Sequence, residues 1–291
     1  LRLAFWKARK GKNYNDEVKH YRFRLDANLA ELRRELLAGD VPVGDYRYFH
    51  IYDPKERMIC AAAFRERVLH HAVMIVCHPV FERFQTDDSY ASRIGKGQYA
   101  ALEKAKTHTR HYRWFCKLDV RKFFDSIDHE TLYGLLSRRF KDPALLGLFR
   151  RIIDSYRTAP GCGLPIGNLT SQHFANYYMA YADHHVREAL HAPAYVRYMD
   201  DMVLWHDDKT ELLRITAGLT SFIGERLRLT LKPPCINNTD KGVPFLGYVL
   251  FPGRVRLNRN SKKRFRCKMN SYDIKLDTGE WSQARYALHV Q

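Results

Sequence analysis

Tyr195-Val196-Arg197-Tyr198-Met199-Asp200-Asp201-Met202-Val203-Leu204-Trp205 is the stretch whose reading decides the fold. Two apolar, strand-forming runs flank two adjacent carboxylates. Neighbouring acids repel each other and have poor strand propensity. A plain hairpin turn more often uses Asn-Gly or Asp-Gly. A local rule broken inside otherwise consistent sequence tends to mark function. On this window alone, a metal-binding pair and a polar turn both fit.

Upstream, residues 113–119 alternate: Trp114, Cys116 and Leu118 take one face, Phe115, Lys117 and Asp119 the other. That pattern predicts a strand delivering an acid at its end. Alone, Asp119 could simply cap a turn. With Asp200 and Asp201 it makes three carboxylates, hard oxygen ligands of the kind Mg²⁺ takes alongside substrate phosphates. Two such ions about 4 Å apart can activate a hydroxyl nucleophile and stabilise a leaving pyrophosphate.

Around these strands the periodicity predicts a helix over 16–38, strands over 46–52 and 57–63, and a helix over 65–77 ended by Pro79. A helical region follows over roughly 129–156. After the loop Ala159-Pro160-Gly161-Cys162-Gly163-Leu164-Pro165-Ile166-Gly167, a helix starts with Thr170 or Ser171 as its N-cap. Residues 211–227 form an amphipathic helix, and 245–250 a last strand. Strand, helix, hairpin, helix, strand implies an α+β fold with a ferredoxin-like βαββαβ sheet and helices on one face.

The chain has 291 residues, 49 Lys plus Arg against 32 Asp plus Glu, and a net charge of +17. Such an excess points to a polyanionic partner, usually nucleic acid. Residues 251–270 carry basic residues and no acid, including Lys262, Lys263 and Arg264. This stretch fits a phosphate-tracking surface or a solvated face. No apolar run approaches the roughly 20 residues of a membrane span. Residues 1–12 mix aromatics with basic residues, unlike a secretory signal. The cysteines are scattered with no C-x-x-C pair, so neither a zinc site nor a disulfide framework is expected, and the cytoplasm is the default compartment. The His70-His71 and His184-His185 pairs lack partners for a four-ligand zinc pattern. The chain starts without Met and stops inside a helix-like segment, so a fragment is expected.

In order, Leu118-Asp119-Val120-Arg121-Lys122-Phe123-Phe124-Asp125, the Gly-rich loop, Tyr198-Met199-Asp200-Asp201 and Phe245-Leu246-Gly247-Tyr248 resemble the reverse transcriptases. Phe64-Arg65-Glu66-Arg67-Val68, Pro79-Val80-Phe81-Glu82 and Ser89-Tyr90-Ala91-Ser92-Arg93 resemble the bacterial branch related to group II intron enzymes. The resemblance implies a right-hand polymerase: an N-terminal segment and fingers over 1–112, a palm over 113–250 with a helical fingers insertion at about 130–165, and an incomplete thumb over 251–291. It implies catalysis by Asp119, Asp200 and Asp201, two Mg²⁺ held by these and the Val120 carbonyl, and deoxynucleotide contacts from Lys55, Arg57, Phe124, Ile166, Gly167 and Lys232. Phe124 occupies the place of the steric gate against a ribose 2′-hydroxyl, although a core aromatic reads the same way. Phe245 and Gly247, in the primer-grip hairpin, would touch nucleic acid together with Lys262, Lys263 and Arg264.

One segment is more specific. Most reverse transcriptases carry Q-G-x-x-x-S-P before the palm helix, whereas this chain has Ile166-Gly167-Asn168-Leu169-Thr170-Ser171-Gln172. That paired change resembles the enzymes of diversity-generating retroelements. The resemblance implies an RNA-directed DNA polymerase, error-prone at template adenines, whose cDNA diversifies a target gene. Template RNA, primer and deoxynucleotides would be its substrates, and an accessory variability determinant (Avd) protein its partner. Another bacterial reverse transcriptase, intron-encoded or defence-associated, is the alternative. A non-catalytic nucleic-acid-binding scaffold is the rival from another class.

Overall fold

The computed structural model describes residues 1–12, 14–52 and 56–290. Helices α1 (Arg2–Arg9), α2 (Asp16–Phe23) and α3 (Leu25–Ala38) precede a two-stranded antiparallel ribbon of β1 (Tyr46–Ile51) and β2 (Arg57–Ala62). The helix expected over 16–38 is therefore two, broken at Arg24, where the Asn28 side-chain amide donates to the Tyr21 carbonyl at 2.9 Å. Next come α4 (Phe64–Phe84) and α5 (Gln98–His111). Pro79 does not end α4; it lies inside it. Proline forfeits one helical hydrogen bond, but Phe81 and Phe84 beyond it pack against Tyr177, with ring centroids 5.2 Å away in both cases. Burial of that aromatic face outweighs the lost bond.

The central sheet contains β3 (Trp114–Asp119), β4 (Ala194–Tyr198), β5 (Asp201–His206) and β6 (Cys235–Asn238), in the spatial order β4-β5-β3-β6, every pair antiparallel. Short α6 (Phe123–Ser126), then α7 (His129–Arg139), α8 (Pro143–Asp154) and α9 (Leu169–His184), lie between β3 and β4; α10 (Lys209–Leu227) connects β5 to β6. This is the expected βαββαβ order. Asp128 and Asp142 cap α7 and α8, accepting from Thr131 N–H at 2.7 Å and Leu145 N–H at 2.8 Å. Helix α9 begins earlier than expected, with Asn168 rather than Thr170 or Ser171 at its N-cap; the latter two are buried inside the first turn.

The alternation in β3 sorts its side chains as read. Cys116 and Leu118 join the main core with Phe174 and Tyr178 of α9 and Leu212 and Leu219 of α10. Phe115 faces the other way, with Val203 and Trp205, against Ala101 and Leu102 of α5. Both faces are therefore covered, not one. The second cover includes Phe245 and Leu250 from a small sheet of β7 (Val243–Phe245), β8 (Tyr248–Phe251) and β9 (Arg254–Leu257). The single strand expected over 245–250 is instead a hairpin, turned by Leu246 and Gly247 with φ of 46° and 86°. Helices α11 (Arg259–Asp277) and α12 (Gln283–Val290) complete the chain, and α11 buries none of its residues. Among the described residues, no helix is long and apolar enough to cross a membrane.

Candidate active site

Register brings the acids together. Asp119, last residue of β3, stands directly opposite Asp201, first residue of β5. With a side-chain period of two, Lys117, Asp119, Asp201 and Val203 share one face. Tyr198 pairs with Asp201, so Met199 and Asp200 form the two-residue turn. Met199 takes a φ of 56°, a conformation that favours glycine and is strained for a larger residue.

That turn is held from beneath. Arg197 is fully buried and donates from Nη1 to the Met199 carbonyl at 3.1 Å. Its Nε donates to Asp183 Oδ1 at 2.6 Å, and Asp183 is equally buried on α9. Asn176 and Tyr195 complete the set: Arg197 Nη1 donates to Asn176 Oδ1 at 2.8 Å, and the Tyr195 hydroxyl to Asp183 Oδ1 at 2.9 Å. A buried pair is tolerated when its hydrogen-bonding capacity is filled in this way. The sequence reading missed this network, because Arg197 and Asp183 look like ordinary surface charges until the fold joins them.

Asp119, Val120, Asp200, Asp201, Arg57, Phe124, Ile166 and Lys232 all line one cavity of about 580 Å³. Lys232 arrives there because residues 229–232 run beside the end of β3: its N–H donates to the Asp119 carbonyl, and Arg121 N–H to the Thr230 carbonyl, both at 2.8 Å. Phe123 and Phe124 both line the cavity; Phe123 is buried and Phe124 half-buried. Leu246 and Lys122 also line it and were not anticipated. Gly167 does not; its φ is 119°, and a Cβ there would sit 3.0 Å from Ile59 Cγ2 and 3.3 Å from the Cys60 carbonyl oxygen. Its absent side chain lets the loop pack on β2, where Cys60 N–H donates to the Ile166 carbonyl at 2.8 Å. Phe245 is buried in the second core, and Gly247 makes the β7–β8 turn, where a Cβ would meet Ser261 Oγ at 3.1 Å. Lys262, Lys263 and Arg264 lie on exposed α11, away from the cavity lining. Lys55 lies outside the described residues.

Two lysines accompany the acids. Lys232 Nζ is 2.6 Å from Asp119 Oδ1, and Lys117 Nζ is 3.2 Å from Asp201 Oδ2. Lys117 was placed on the Asp119 face of the strand by its alternation but was given no role at the site. Burial pushes the Asp201 carboxyl up to about 6, against the pull of Lys117. Burial also raises Asp200, helped by the Asp119 charge and opposed by Lys232 and Arg57. A concentration of negative charge raises carboxyl pKa values until cations neutralise it.

Among the described residues, no three His, Cys, Asp or Glu side chains form a ready-made metal cage, these three included. The donor set nevertheless suits Mg²⁺. Its oxygens are hard and share one cavity, and both Asp201 oxygens lie 3.2 Å from Lys117 Nζ, a cation where a metal's charge would also be held. The lysine ammonium groups supply the positive charge that the acids attract.

An antiparallel βαββαβ sheet with acids at its strand ends, and a two-stranded ribbon whose Arg57 lines the same cavity, is the architecture of the right-hand polymerase fold. The reverse transcriptase (RNA-dependent DNA polymerase) family matches residues 53–250, and the chain belongs to it. It is 24% identical to the group II intron-encoded protein LtrA of Lactococcus lactis subsp. cremoris, over 67% of this chain and 35% of that protein. It is also 24% identical to protein YkfC of Escherichia coli K12, over 80% of this chain and 74% of that one. The chain thus spans about a third of the length of LtrA. Among solved structures, apo telomerase from Candida tropicalis shares the fold, with a TM-score of 0.56 and 11% identity over 81% of this chain and 54% of that chain.

Proposed function

We propose that the protein is an RNA-directed DNA polymerase that extends a primer 3′-end with deoxynucleotides on an RNA template. The observation carrying this reading is the register pair Asp119–Asp201, with Asp200 in the adjoining turn, in a cavity that also exposes Arg57, Phe124 and Lys232. Asp119, Asp200 and Asp201, with the Val120 carbonyl, would hold two Mg²⁺. When bound, these ions supply an activated 3′-hydroxyl and charge stabilisation at the leaving pyrophosphate. The chain's own groups do the rest. Arg57 offers a fork of donors to the triphosphate. Lys232 holds a proton at Nζ beside Asp119, where a leaving phosphate can receive it. Phe124 presents a ring against a 2′-hydroxyl. Lys55 is assigned to the triphosphate on its sequence position alone.

The finer assignment is to the diversity-generating retroelement branch, error-prone at template adenines, with an Avd protein as partner. Ile166 supports it: an aliphatic side chain lines the cavity where the related enzymes place glutamine. Glutamine can donate and accept around the nascent pair, and isoleucine can do neither. On this reading residues 1–112 form the N-terminal segment and fingers, 113–250 the palm with the fingers insertion at about 130–165, and 251–291 thumb, in a bacterial or phage-infected cytoplasm. Phe245 and Gly247 shape the primer grip, and Lys262, Lys263 and Arg264 contact phosphates. Similarity to LtrA favours a second reading, an intron-type enzyme.

The test is primer extension on one RNA with Mg²⁺, with and without the partner, followed by sequencing of the cDNA. Extension with errors concentrated opposite adenine is expected, and Ile166→Gln should lower them about tenfold if one or two hydrogen bonds of about 1 kcal/mol are regained. Extension with even, low error would favour the intron-type reading; no extension under any condition would remove the polymerase.

A further inference from the structure

Ile166 and Gly167 are neighbours on one loop but line two different cavities. Behind Gly167 lies a recess of about 70 Å³, enclosed also by Lys12, Arg67, His70, His71, Asn168 and Leu169. Its lining holds two permanent cations and two histidines, and no acid. The cations crowd each other: burial lowers the Lys12 pKa and the Arg67 charge lowers it further, against the pull of Glu17.

Two polar side chains in the recess are almost wholly buried and carry nitrogens that make no hydrogen bond among the described residues. His70, 1% exposed, has neither ring nitrogen in a hydrogen bond, and Asn168, 3% exposed, leaves Nδ2 unused. Buried polar atoms are nearly always paired, and an orphan costs about 1–3 kcal/mol. Asn168 is also the N-cap of the 16-residue α9, and its side chain makes no capping bond. The positive end of that helix therefore adjoins the same recess. Glu66 sits beside His70, with Oε1 3.4 Å from Nε2 and Oε2 accepting from Gly44 N–H at 2.9 Å.

The geometry points to a binding site for one phosphate-type oxyanion in this recess, held by Lys12, Arg67, His70, His71 and the Asn168 amide. The volume equals roughly two waters at about 30 Å³ each, which suits a single tetrahedral group and excludes a nucleotide. The group is either inorganic phosphate or one backbone phosphate of a bound nucleic acid. An anion there neutralises the crowded cations and steadies the loop from the side opposite the catalytic cavity. How firmly Ile166 is held then depends on its occupancy. The site needs no polymerase activity to be tested.

The experiment uses the full chain and inorganic phosphate, with chloride at matched ionic strength as reference. The thermal midpoint of the wild type should rise with phosphate. Lys12→Gln and Asn168→Asp should each abolish that rise, with affinity falling about tenfold or more when one charge-assisted hydrogen bond is removed. Aspartate is as good an N-cap as asparagine, so the second variant keeps the helix while placing a negative charge in the recess. RNA binding measured across a salt series separates the two sources. If a backbone phosphate occupies the recess, Lys12→Gln lowers the log–log slope by about 0.7–0.9; if free phosphate does, the slope stays and only the thermal effect disappears. Equal phosphate effects in all three proteins, together with unchanged slopes, would overturn the site.

Discussion

The β4–β5 turn and helix α11 are built on opposite plans. The turn carries two acids on a strained Met199, and beneath it Arg197 and Asp183 are fully buried and mutually bonded. Helix α11 carries Lys262, Lys263 and Arg264 and buries nothing. On the proposed function, the difference follows from what each charge would do. Acids that hold catalytic ions must be placed to a fraction of an ångström, and only a packed, hydrogen-bonded shell achieves that. Cations that track a phosphate backbone need net charge and reach, which an exposed helix provides.

The largest expected effect is on chemistry at the turn. Asp201→Asn removes a ligand while changing little shape, so polymerisation should fall on the order of a hundred- to a thousandfold. Next is the shell. Arg197→Met leaves Asp183 charged and unpaired in the core and should cost about 3–5 kcal/mol of stability, measured by urea unfolding. Arg197→Met combined with Asp183→Leu should recover much of that stability but not polymerisation, because nothing then holds the Met199 carbonyl. Full activity in the stable double variant would break the contrast.

The third effect is electrostatic. Aspartate in an unfolded chain titrates near 3.9, and folded Asp201 near 6. Between about pH 4 and 6 the folded state therefore binds more protons, so in a chelator the protein should lose stability as pH rises through that window. Asp201→Asn should reduce this pH dependence, leaving the part due to Asp200, and should raise stability at pH 7.5 on the order of 2 kcal/mol, read by denaturant titration. A destabilised variant would mean that Asp201 is primarily a partner of Lys117. The smallest effect on folding lies in α11. Replacing Lys262, Lys263 and Arg264 with alanine should change stability by no more than about 0.5 kcal/mol. It should nevertheless lower the salt slope of RNA binding by about 0.7–0.9 for each phosphate that is no longer neutralised.

The same contrast governs what could be read from sequence. Asp119, Asp200 and Asp201 were legible because acids at strand ends break a local pattern. The β3 alternation likewise assigned its faces correctly. Pro79 misled, because its local cost is overridden by aromatic packing between α4 and α9. The β7–β8 hairpin was hidden from the residue pattern because Leu246-Gly247 is an uncommon turn pair, although the family resemblance anticipated it. The roles of Lys117, Leu246 and the Arg197–Asp183 pair were missed because they come from partners far apart in the chain.

One paired measurement tests the central claim most directly. RNA binding and primer extension are followed in the same samples for the wild type, Asp200→Asn and the triple-alanine α11 variant, at low salt and saturating RNA. The expected result is a double dissociation. Asp200→Asn binds RNA as the wild type does and does not extend, while the α11 variant extends once saturated but binds with a shallower salt slope. Normal extension by Asp200→Asn would contradict the assignment of catalysis to this turn.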